Sequence, residues 1–243
     1  MKAAATYDDY WQSGLHIPGE WPPELFQKLF GPMKGKARVL DYGCGLGCGY
    51  QRCLIQSVEK YIGADISQIA LQHVQKKGVE TLQISEQGTI DVPDRTFDGA
   101  VCSEVFEHLW DPLAAAKELH RVMKPGGVLI ASVPNFGYFA WRLLALVRAQ
   151  VPLEPDINRF RGVHIRFFSL LMFQRLFQDA GFKEVKITSW NNGSIWHVFR
   201  CAGPLGKISD WADKKIPAPF HLKFLGELWP NVFAERLRAV AIK

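Results

Sequence analysis

Apolar residues along this chain occur in two patterns that alternate from residue 37 onward. Short continuous apolar runs predict buried strands at ARVLDY, KYIGAD, VETLQI, FDGAVCS and GGVLIASVP. Between them, SQIALQHVQKK and DPLAAAKELHRVM carry apolar residues every three or four positions, which predicts helices, and a further helix is predicted over 47–56. Strands that alternate with helices indicate a parallel, doubly wound α/β sheet with helices on both faces.

The two ends of the chain extend this pattern. Pro22 and Pro23 predict the first turn of a helix that runs to about Phe30. Near the other end, SLLMFQRLFQDAGF predicts a helix that has Ser169 as its N-cap and stops at Gly181. KEVKITSW and ERLRAVAIK then predict two last strands.

Two segments interrupt the alternation of strands and helices. Residues 135–168 are rich in aromatic residues and arginine, and residues 191–231 are rich in proline, glycine and tryptophan. We expect both segments to cap the carboxyl edge of the sheet, where loops carry function, and residues 1–34 to form an N-terminal lid. The chain is therefore predicted to be a single domain over residues 1–243.

Composition restricts the setting of the protein more than its reaction. With 243 residues, 48% of them hydrophobic, the chain can bury the core of one large domain. The most apolar stretch contains Arg142 and Arg148 and falls short of a spanning helix, and the N-terminus has no apolar signal core. We therefore expect a cytoplasmic protein without a transmembrane segment. The net charge of +5 permits an anionic acceptor but does not require nucleic acid.

The five cysteines do not predict a metal cluster or a disulfide framework. They stand at 44, 48, 53, 102 and 201 without a CxxC pair, and Gln51 breaks the CxxxCxxC spacing of radical cluster enzymes. Cysteine in such positions is more often a small buried hydrophobic residue than a ligand. We therefore expect these cysteines to be buried.

The turn DYGCGLG after the first strand carries the clearest chemical signal. Its D-x-G-x-G-x-G pattern is formed by Asp41, Gly43, Gly45 and Gly47. A missing Cβ lets a ligand lie directly on the backbone, and a carboxylate at the strand end can accept hydrogen bonds from an ammonium group. The dinucleotide pattern GxGxxG is absent, because its sixth position is Cys48, and no P-loop lysine follows. The next strand ends in Asp65, in the position from which an acid binds ribose hydroxyls.

Four blocks in order make the chain resemble the class I S-adenosylmethionine-dependent methyltransferases: VLDYGCGLG, YIGADIS, IDVPDRTFDGAVCSEVFEHLWDP and ELHRVMKPGGVLIASVPNF. The resemblance covers roughly residues 37–190. It implies a Rossmann-like α/β fold, with a mostly parallel seven-stranded sheet and an antiparallel last hairpin. It also implies S-adenosyl-L-methionine as cofactor, held by Asp41, Gly43, Cys44, Gly45, Gly47, Asp65, Ile66, Glu86, Gln87 and Ser103.

The resemblance assigns parts of the cofactor to particular residues. Gly43, Gly45 and Gly47 approach the methionine moiety, and Asp65 binds the ribose. Glu86, where the family usually has Asp, contacts the adenine amino group. Asp65 and Glu86 also have a structural alternative, as acids that merely cap the next helix.

The segment after the fifth strand bears on the acceptor. The combination PNF…R…HxRFFS…AGF resembles methyltransferases found among polysaccharide-building and small-metabolite enzymes and, more loosely, methionine-biosynthesis methyltransferase-like proteins. DNA amino-methyltransferases carry an Asn/Asp-Pro-Pro-aromatic motif after the fourth strand, where this chain has SEVF, so DNA is disfavoured as the acceptor. Asn135, His164 and Arg166 are the candidate acceptor-binding residues.

Two aromatic segments have both a binding and a structural interpretation. The stretch with Arg159, Arg161 and Arg166 could hold an acceptor's phosphate or carboxylate, or an RNA end, or it is a solvated loop whose arginines pair with nearby acids. In the N-terminal segment, Tyr7, Tyr10 and Trp11 either close over the cofactor or form an aromatic anchor.

The motif SEVFEH places Glu104, Glu107 and His108 directly after the fourth strand. On one helical turn these residues would share a face, and His164 could add a fourth ligand for a divalent metal. The motif is similar to that of metal-dependent methyltransferases that act on the terminal ribose of small RNAs and on quinone-precursor phenols. The nitrogen ligands suit Mn²⁺ or Zn²⁺ better than Mg²⁺. Without a metal, the catalytic candidates are His108 as general base and Glu104, or the motif only orients its loop.

We therefore expect methyl transfer to an oxygen, rather than a nitrogen, of a small-molecule or sugar-like acceptor. Alignment of the methyl group with the nucleophile supplies most of the rate in such an in-line displacement. Two alternatives remain open, which are methylation of an RNA end and a cofactor-binding partner subunit without transfer activity.

Overall fold

The computed structural model describes residues 3–12, 23–30, 36–47, 56, 58–148, 164–190, 230–234 and 236–243. Within them, one sheet contains β1 (Arg38–Tyr42), β2 (Lys60–Asp65), β3 (Glu80–Gln83), β4 (Phe97–Ser103), β5 (Met123–Pro134), β6 (Val185–Trp190) and β7 (Arg236–Ile242). The strands lie in the order β3-β2-β1-β4-β5-β7-β6. The first five pair in parallel, and β7 runs antiparallel between β5 and β6. The predicted seven-stranded α/β sheet with an antiparallel last hairpin is confirmed.

The helices of the described residues are α1 (Ala3–Gln12), α2 (Pro23–Phe30), α3 (Gln68–Gln75), α4 (Pro112–Val122), α5 (Phe139–Arg148), α6 (Leu170–Asp179), α7 (Pro230–Phe233) and a 3-10 turn at Phe106–His108. The observed helix boundaries agree closely with those predicted from the sequence. Pro23 begins α2, and Ser169 caps α6 by accepting a hydrogen bond from the Met172 N–H. The predicted helix over 47–56 falls almost entirely on residues outside the described ranges.

Helices cover both faces of the sheet, because successive strand residues point to opposite sides. On one face, Phe26 and Phe30 of α2 pack with Val39 and Val101. On the other face, the apolar sides of α4 and α6 pack against Leu40 and its neighbours. The two free cysteines in the described part of the chain, Cys44 and Cys102, are both buried, as predicted.

The capping segments are only partly described. α1 belongs to the predicted lid and α5 to the predicted segment 135–168, but residues 149–163 and 191–229 lie outside the described ranges, and with them Arg159 and Arg161. The predicted division into lid and caps within a single domain remains a prediction. Among the described helices, none combines the length and apolarity that crossing a bilayer would require.

An ion pair between buried Glu118 and partly exposed Arg121 fixes the loop between β3 and β4. The Glu118 carboxylate of α4 accepts hydrogen bonds from the Ile90 N–H at 2.8 Å and from Arg121, whose guanidinium also donates to the carbonyl oxygens of Ile90 and Val92. Burial raises the pKa of Glu118, but the hydrogen bonds from Arg121 and Ile90 outweigh it, so that the pKa lies below its ordinary value. The loop therefore has a fixed position against α4.

The 3-10 turn after β4 is anchored by an aromatic cluster. Phe106 is fully buried, and its ring meets the rings of Phe173 and Phe177 of α6 at centroid distances of 6.3 and 5.5 Å. Such edge-to-face pairs add to the free energy gained by burial. Because Phe106 is followed directly by Glu107 and His108, this cluster also fixes the position of those two side chains.

Replacing Phe106 by alanine should lower the free energy of unfolding by about 3–5 kcal/mol, because the change leaves a cavity beneath the 3-10 turn. The matched control is Leu146→Ala on α5, where the side chain is 84% exposed and the change should stay within about 0.5 kcal/mol. Urea denaturation of both variants measures the difference. Equal losses would contradict the anchoring role of Phe106.

Candidate active site

A cavity of about 590 Å³ lies at the carboxyl edge of the parallel strands. Its wall is formed by the ends of β1, β2 and β4, the start of the β3–β4 loop, the 3-10 turn with the residues that follow it, the start of α4, α1, His164 and the first residue of β7. The volume is typical of small-molecule sites, which occur at this edge of open α/β sheets.

Eight of the ten residues predicted to bind the cofactor line this cavity: Gly43, Cys44, Gly45, Asp65, Ile66, Glu86, Gln87 and Ser103. Asp41 and Gly47 do not belong to the wall formed by the described residues. Asp41 is fully buried and accepts a hydrogen bond from the Tyr61 hydroxyl. This hydrogen bond connects Asp41 on β1 to Tyr61 on β2.

The glycine turn has the backbone conformation that glycine favours. Gly43 and Gly45 have φ angles of +79° and +52°, which side-chain-bearing residues rarely adopt. A Cβ on Gly43 would collide with Val105, and one on Gly45 would lie 2.6 Å from the indole of Trp11. Both glycines thus allow close approach of neighbouring groups at the cavity wall.

Asp65 links the glycine turn to the next helix. One carboxylate oxygen accepts the Gly45 N–H and the other accepts the Ser67 N–H, both at 2.9 Å. Burial raises the pKa of Asp65 to about 6, although these backbone hydrogen bonds oppose the shift and nearby Asp41 adds to it. Ser67, rather than Asp65, is the N-cap of α3, and Asp65 supports that cap while it also lines the cavity.

The β3–β4 loop forms another part of the wall through residues 84–88. Glu86 and Gln87 are exposed at its tip. The hydroxyl of buried Tyr42 donates to the Gly88 carbonyl oxygen at 2.9 Å, and the Glu118–Arg121 pair holds the far side of the loop. The loop is thus supported on both sides.

The other end of the cavity holds one carboxylate and two imidazoles. Glu107 is buried, and its Oε1 lies 3.9 Å from Nε2 of His108 and 3.9 Å from Nε2 of His164. The two rings lie 4.8 Å apart in an edge-to-face arrangement. The Glu107 carbonyl oxygen accepts the N–H groups of Ile165 and Arg166, which holds the segment with His164 against the 3-10 turn.

Glu104 does not join this cluster, which corrects the predicted four-residue metal set. Among the described residues, the group able to share an ion is Glu107, His108 and His164, with ligand atoms within 4.8 Å of one another. Glu104 precedes the 3-10 turn with φ +55°, so it does not lie on a helical face with Glu107. Its carboxylate instead accepts from the Ser132 hydroxyl at 2.7 Å and lies 3.5 Å from Arg236 Nε.

Two predicted acceptor-binding residues lie outside the cavity wall formed by the described residues, and only His164 lines it. Asn135 is fully buried, donates to the Ala234 carbonyl oxygen and accepts the Gly137 N–H, so it stabilises the loop after β5. The exposed Arg166 donates to the Trp110 carbonyl oxygen.

Helix α1 closes one side of the cavity with the three predicted aromatic residues, Tyr7, Tyr10 and Trp11. The Tyr7 hydroxyl donates to the His108 carbonyl oxygen at 3.4 Å, and burial, with Glu107 and Asp65 nearby, raises its pKa. Asp8 accepts a hydrogen bond from the Ser67 hydroxyl, beside Asp65. The helix therefore contacts both ends of the cavity.

Arg236 is a charged wall residue that the sequence interpretation missed, and Asp111 is another. Arg236 begins β7, opposite Pro134 of β5 and Trp190 of β6. An antiparallel strand starts at the edge where its parallel neighbours end. Because the last strand is predicted to be antiparallel, an arginine at the start of ERLRAVAIK indicates a positive charge at the carboxyl edge of the parallel strands.

Together, the sheet order, the glycine turn and a strand-end acid beside a cavity define a nucleoside-cofactor-binding α/β protein. The family profile described as a methyltransferase domain matches residues 15–187, more than half of the chain. The chain belongs to the S-adenosylmethionine-dependent methyltransferases.

Individual relatives agree with this family. A probable S-adenosylmethionine-dependent methyltransferase of Mycolicibacterium smegmatis is 30% identical over 161 residues, which cover 65% of this chain and 56% of that protein. The chain thus spans little more than half the length of this relative. A ubiquinone biosynthesis O-methyltransferase of Thiobacillus denitrificans is 28% identical over 179 residues, 70% of this chain and 74% of that protein.

Solved structures share the fold at low sequence identity. A chain from the complex of the Haloferax volcanii Trm112 methyltransferase activator with a methyltransferase superposes with a TM-score of 0.59. It is 17% identical, and the match covers 97% of this chain and 96% of that one. At this identity the likeness supports the architecture of the sheet.

The raised pKa of Asp65 predicts a pH-dependent stability of the protein without ligand. Between about pH 3.8 and 6 the folded chain holds more protons at Asp65 than the unfolded chain. Its contribution to the free energy of unfolding therefore falls as pH rises through this window, by about 3 kcal/mol in total. Denaturant titrations from pH 4 to 7 should show that Asp65→Asn removes this downward trend.

Asp98 at the start of β4 provides a control of opposite sign. Burial raises the pKa of Asp98, but hydrogen bonds from Lys124 and the Arg38 N–H outweigh this effect and leave the pKa below its ordinary value. Asp98 therefore stabilises the folded chain above that ordinary value, and the stabilisation is lost as pH falls. Asp98→Asn should remove a rising trend, and the same sign of change in both variants would contradict the assignment.

Proposed function

We propose that this protein transfers the sulfonium methyl group of S-adenosyl-L-methionine to a hydroxyl oxygen of a small acceptor. The observation that carries the proposal is that one cavity joins the glycine turn and Asp65 to the carboxylate and imidazoles of Glu107, His108 and His164. A cofactor bound along the turn would direct its methyl group toward these side chains. The family supplies the donor, and the cavity supplies the acceptor end.

The cofactor is held, in this proposal, by the residues predicted from the sequence that line the cavity. The backbone at Gly43 and Gly45 lies against the methionine moiety. Asp65 accepts hydrogen bonds from the ribose hydroxyls, since its two carboxylate oxygens have about four acceptor sites and the N–H groups of Gly45, Ser67 and Ile66 do not occupy all of them. Glu86 and Gln87 face the adenine. Fixing the cofactor in this way aligns the methyl group for displacement.

His108 acts as the general base. Its imidazole lines the cavity, and the Glu107 carboxylate at 3.9 Å favours the positively charged imidazolium that forms when it accepts the acceptor's proton. Loss of the proton leaves an oxygen nucleophile that attacks the methyl carbon in line with the carbon–sulfur bond. The His164 ring beside His108 restricts where the acceptor can lie.

An oxygen acceptor is favoured over nitrogen by the relatives as well. Ubiquinone biosynthesis O-methyltransferases from several bacteria are among the similar proteins, at up to 35% identity over 114 residues. A hydroxyl also needs the base that the cavity offers, because it is a poor nucleophile until its proton is removed. The sugar-like acceptor expected from the sequence satisfies the same requirement.

A metal-assisted version of the same reaction is the second candidate, and it rests on the three-residue cluster. Glu107, His108 and His164 offer one carboxylate and two imidazoles, a set that suits Zn²⁺ or Mn²⁺. Two ligand atoms on one Zn²⁺ lie about 3.4 Å apart, so the two separations of 3.9 Å are close to what an ion needs. A bound ion would lower the pKa of an acceptor hydroxyl.

Methyl transfer is tested by measuring S-adenosylhomocysteine release with phenols, sugar nucleotides and short RNA ends as acceptors. We expect release with hydroxyl acceptors, and Asp65→Asn should weaken S-adenosylmethionine binding by about tenfold or more because a neutral amide replaces a charged acceptor. The control is Asp98→Asn, which leaves the cavity unchanged. Tight cofactor binding without release from any acceptor would instead indicate a partner subunit, and release with RNA ends alone would indicate RNA modification.

His108→Ala separates the base from the metal. After complete chelation, we expect the parent protein to retain activity, and His108→Ala to lose about 10²–10⁴-fold in kcat near neutral pH, with a smaller loss at high pH where the acceptor ionises by itself. Cofactor affinity, measured by calorimetry, should change little. Activity that disappears on chelation and returns only with Zn²⁺ or Mn²⁺ supports the metal, whereas full activity of His108→Ala at all pH values contradicts the base.

A further inference from the structure

We propose that Arg236 stabilises the ionised oxygen of the acceptor, and that the acceptor therefore carries an acidic hydroxyl of the phenol or enol class. This inference rests on the proposed O-methyl transfer and names the substrate class of the same cavity. It assigns a catalytic role to a residue at the opposite end of the chain from the glycine turn.

The placement of Arg236 is rigid. It is the first residue of β7 and is paired with Pro134 on one side and Trp190 on the other, so its backbone is held between two strands. Its side chain lines the cavity that also contains His108 and is partly accessible, at 27%. A guanidinium keeps its proton at every physiological pH, so it acts by its charge and its N–H donors rather than by proton transfer.

Glu104 orients this guanidinium from a strained position. Glu104 and Arg95 are the non-glycine residues with positive φ in the described part of the chain, and such backbone strain persists where surrounding contacts impose it, often at functional sites. For Glu104, these contacts come from Ser132. Its carbonyl oxygen accepts the Glu104 N–H at 3.1 Å, and its hydroxyl donates to Glu104 Oε1 at 2.7 Å. Glu104 Oε2 is thereby left facing Arg236 Nε at 3.5 Å.

The pairing between Glu104 and Arg236 is looser than a closed charge-assisted hydrogen bond. Such bonds between nitrogen and oxygen are about 2.7–2.9 Å long, whereas these two atoms lie 3.5 Å apart. An oxyanion that approaches more closely would therefore interact with the guanidinium more strongly than Glu104 does. Glu104 then serves as a positioning residue that keeps Arg236 directed into the cavity.

The charges around the reacting oxygen decide which acceptor fits. Arg236 contributes a fixed positive charge from β7, and the cofactor's sulfonium contributes another. Carboxylates, imidazoles and phenols also line the cavity: Asp65, Glu86, Glu104, Glu107, Asp111, His108, His164, Tyr7, Tyr10 and Tyr42. An amine acceptor would become cationic beside Arg236 as it attacks. An oxygen that is negative before attack gains most from lying between the two cations.

The reaction balances with these groups alone. The acceptor's O–H proton moves to the His108 imidazole, and the oxygen keeps the electron pair beside Arg236. That pair forms the new oxygen–carbon bond while the sulfur–carbon bond breaks, and its electrons stay on sulfur. The products are a methyl ether and neutral S-adenosylhomocysteine, with one proton on His108 and Arg236 unchanged.

The test uses 4-nitrophenol, whose ionised form has its own absorbance, with the full chain saturated with S-adenosylhomocysteine. At a pH where free 4-nitrophenol is mostly protonated, the parent protein should increase the ionised fraction of bound dye, by about tenfold in the ionisation equilibrium for a shift of one pKa unit. Arg236→Met should abolish this increase, and Arg236→Lys should retain part of it. The matched control is Arg238→Met, on the same strand and the same side, where the guanidinium contacts Thr188 instead of the cavity.

The outcomes separate this inference from the proposed function. S-adenosylhomocysteine binding with no ionisation of the dye, or the same ionisation in the parent protein and Arg236→Met, overturns the role of Arg236 while leaving methyl transfer intact. Equal loss in Arg236→Met and Arg238→Met assigns the effect to the strand and also overturns it. Failure of S-adenosylhomocysteine to bind the parent protein at all contradicts the proposed function itself.

Discussion

The Asp65 carboxylate is the constraint on which the cofactor end of this structure depends. It accepts N–H groups from Gly45 on the turn after β1 and from Ser67 at the start of α3, so it fixes the two segments relative to each other. The two hydrogen bonds do not fully offset the burial of the charge, and the pKa remains raised to about 6. A ligand that donates further hydrogen bonds to this carboxylate would favour its ionised form. The same acid thus connects two segments of the site, and in the proposed complex it would itself be stabilised by the bound cofactor.

The acceptor end is assembled differently from the cofactor end, because its groups come from widely separated parts of the chain. Glu107 and His108 lie on a 3-10 turn held by Phe106, and His164 is held there by main-chain hydrogen bonds to Glu107. Arg236 enters from β7. Helix α1 contacts both ends, through Asp8 near Asp65 and Tyr7 near His108. In the proposed reaction, alignment between donor and acceptor would therefore depend on the sheet and α1 together.

This difference explains what could be predicted from the sequence. The glycine turn and Asp65 could be predicted because a strand, a turn and an acid at a strand end each have a signal within a few residues of sequence. The structure places them at the cavity. The motif SEVFEH groups Glu104 with Glu107 only if it forms a helical turn, whereas the left-handed backbone of Glu104 directs its side chain to Ser132 and Arg236. The resemblance around PNF and HxRFFS suggests that Asn135 and Arg166 bind the acceptor, whereas backbone groups of other segments determine their contacts. Pairings across the whole chain leave no local pattern in the sequence.

The position of Arg236 on β7 has a consequence for how the site is acquired and lost. Glu104 and Arg236 are separated by more than half of the chain, so their pairing forms only after β7 inserts between β5 and β6. The segment that holds the glycine turn and Asp65 is complete far earlier in synthesis. Proteins open in local units of different stability. If the proposed roles are right, detachment of β7 alone would leave a molecule that still binds its nucleoside but lacks the positive charge of Arg236 at the acceptor, and amide hydrogen exchange along β7 would report on that partly assembled state.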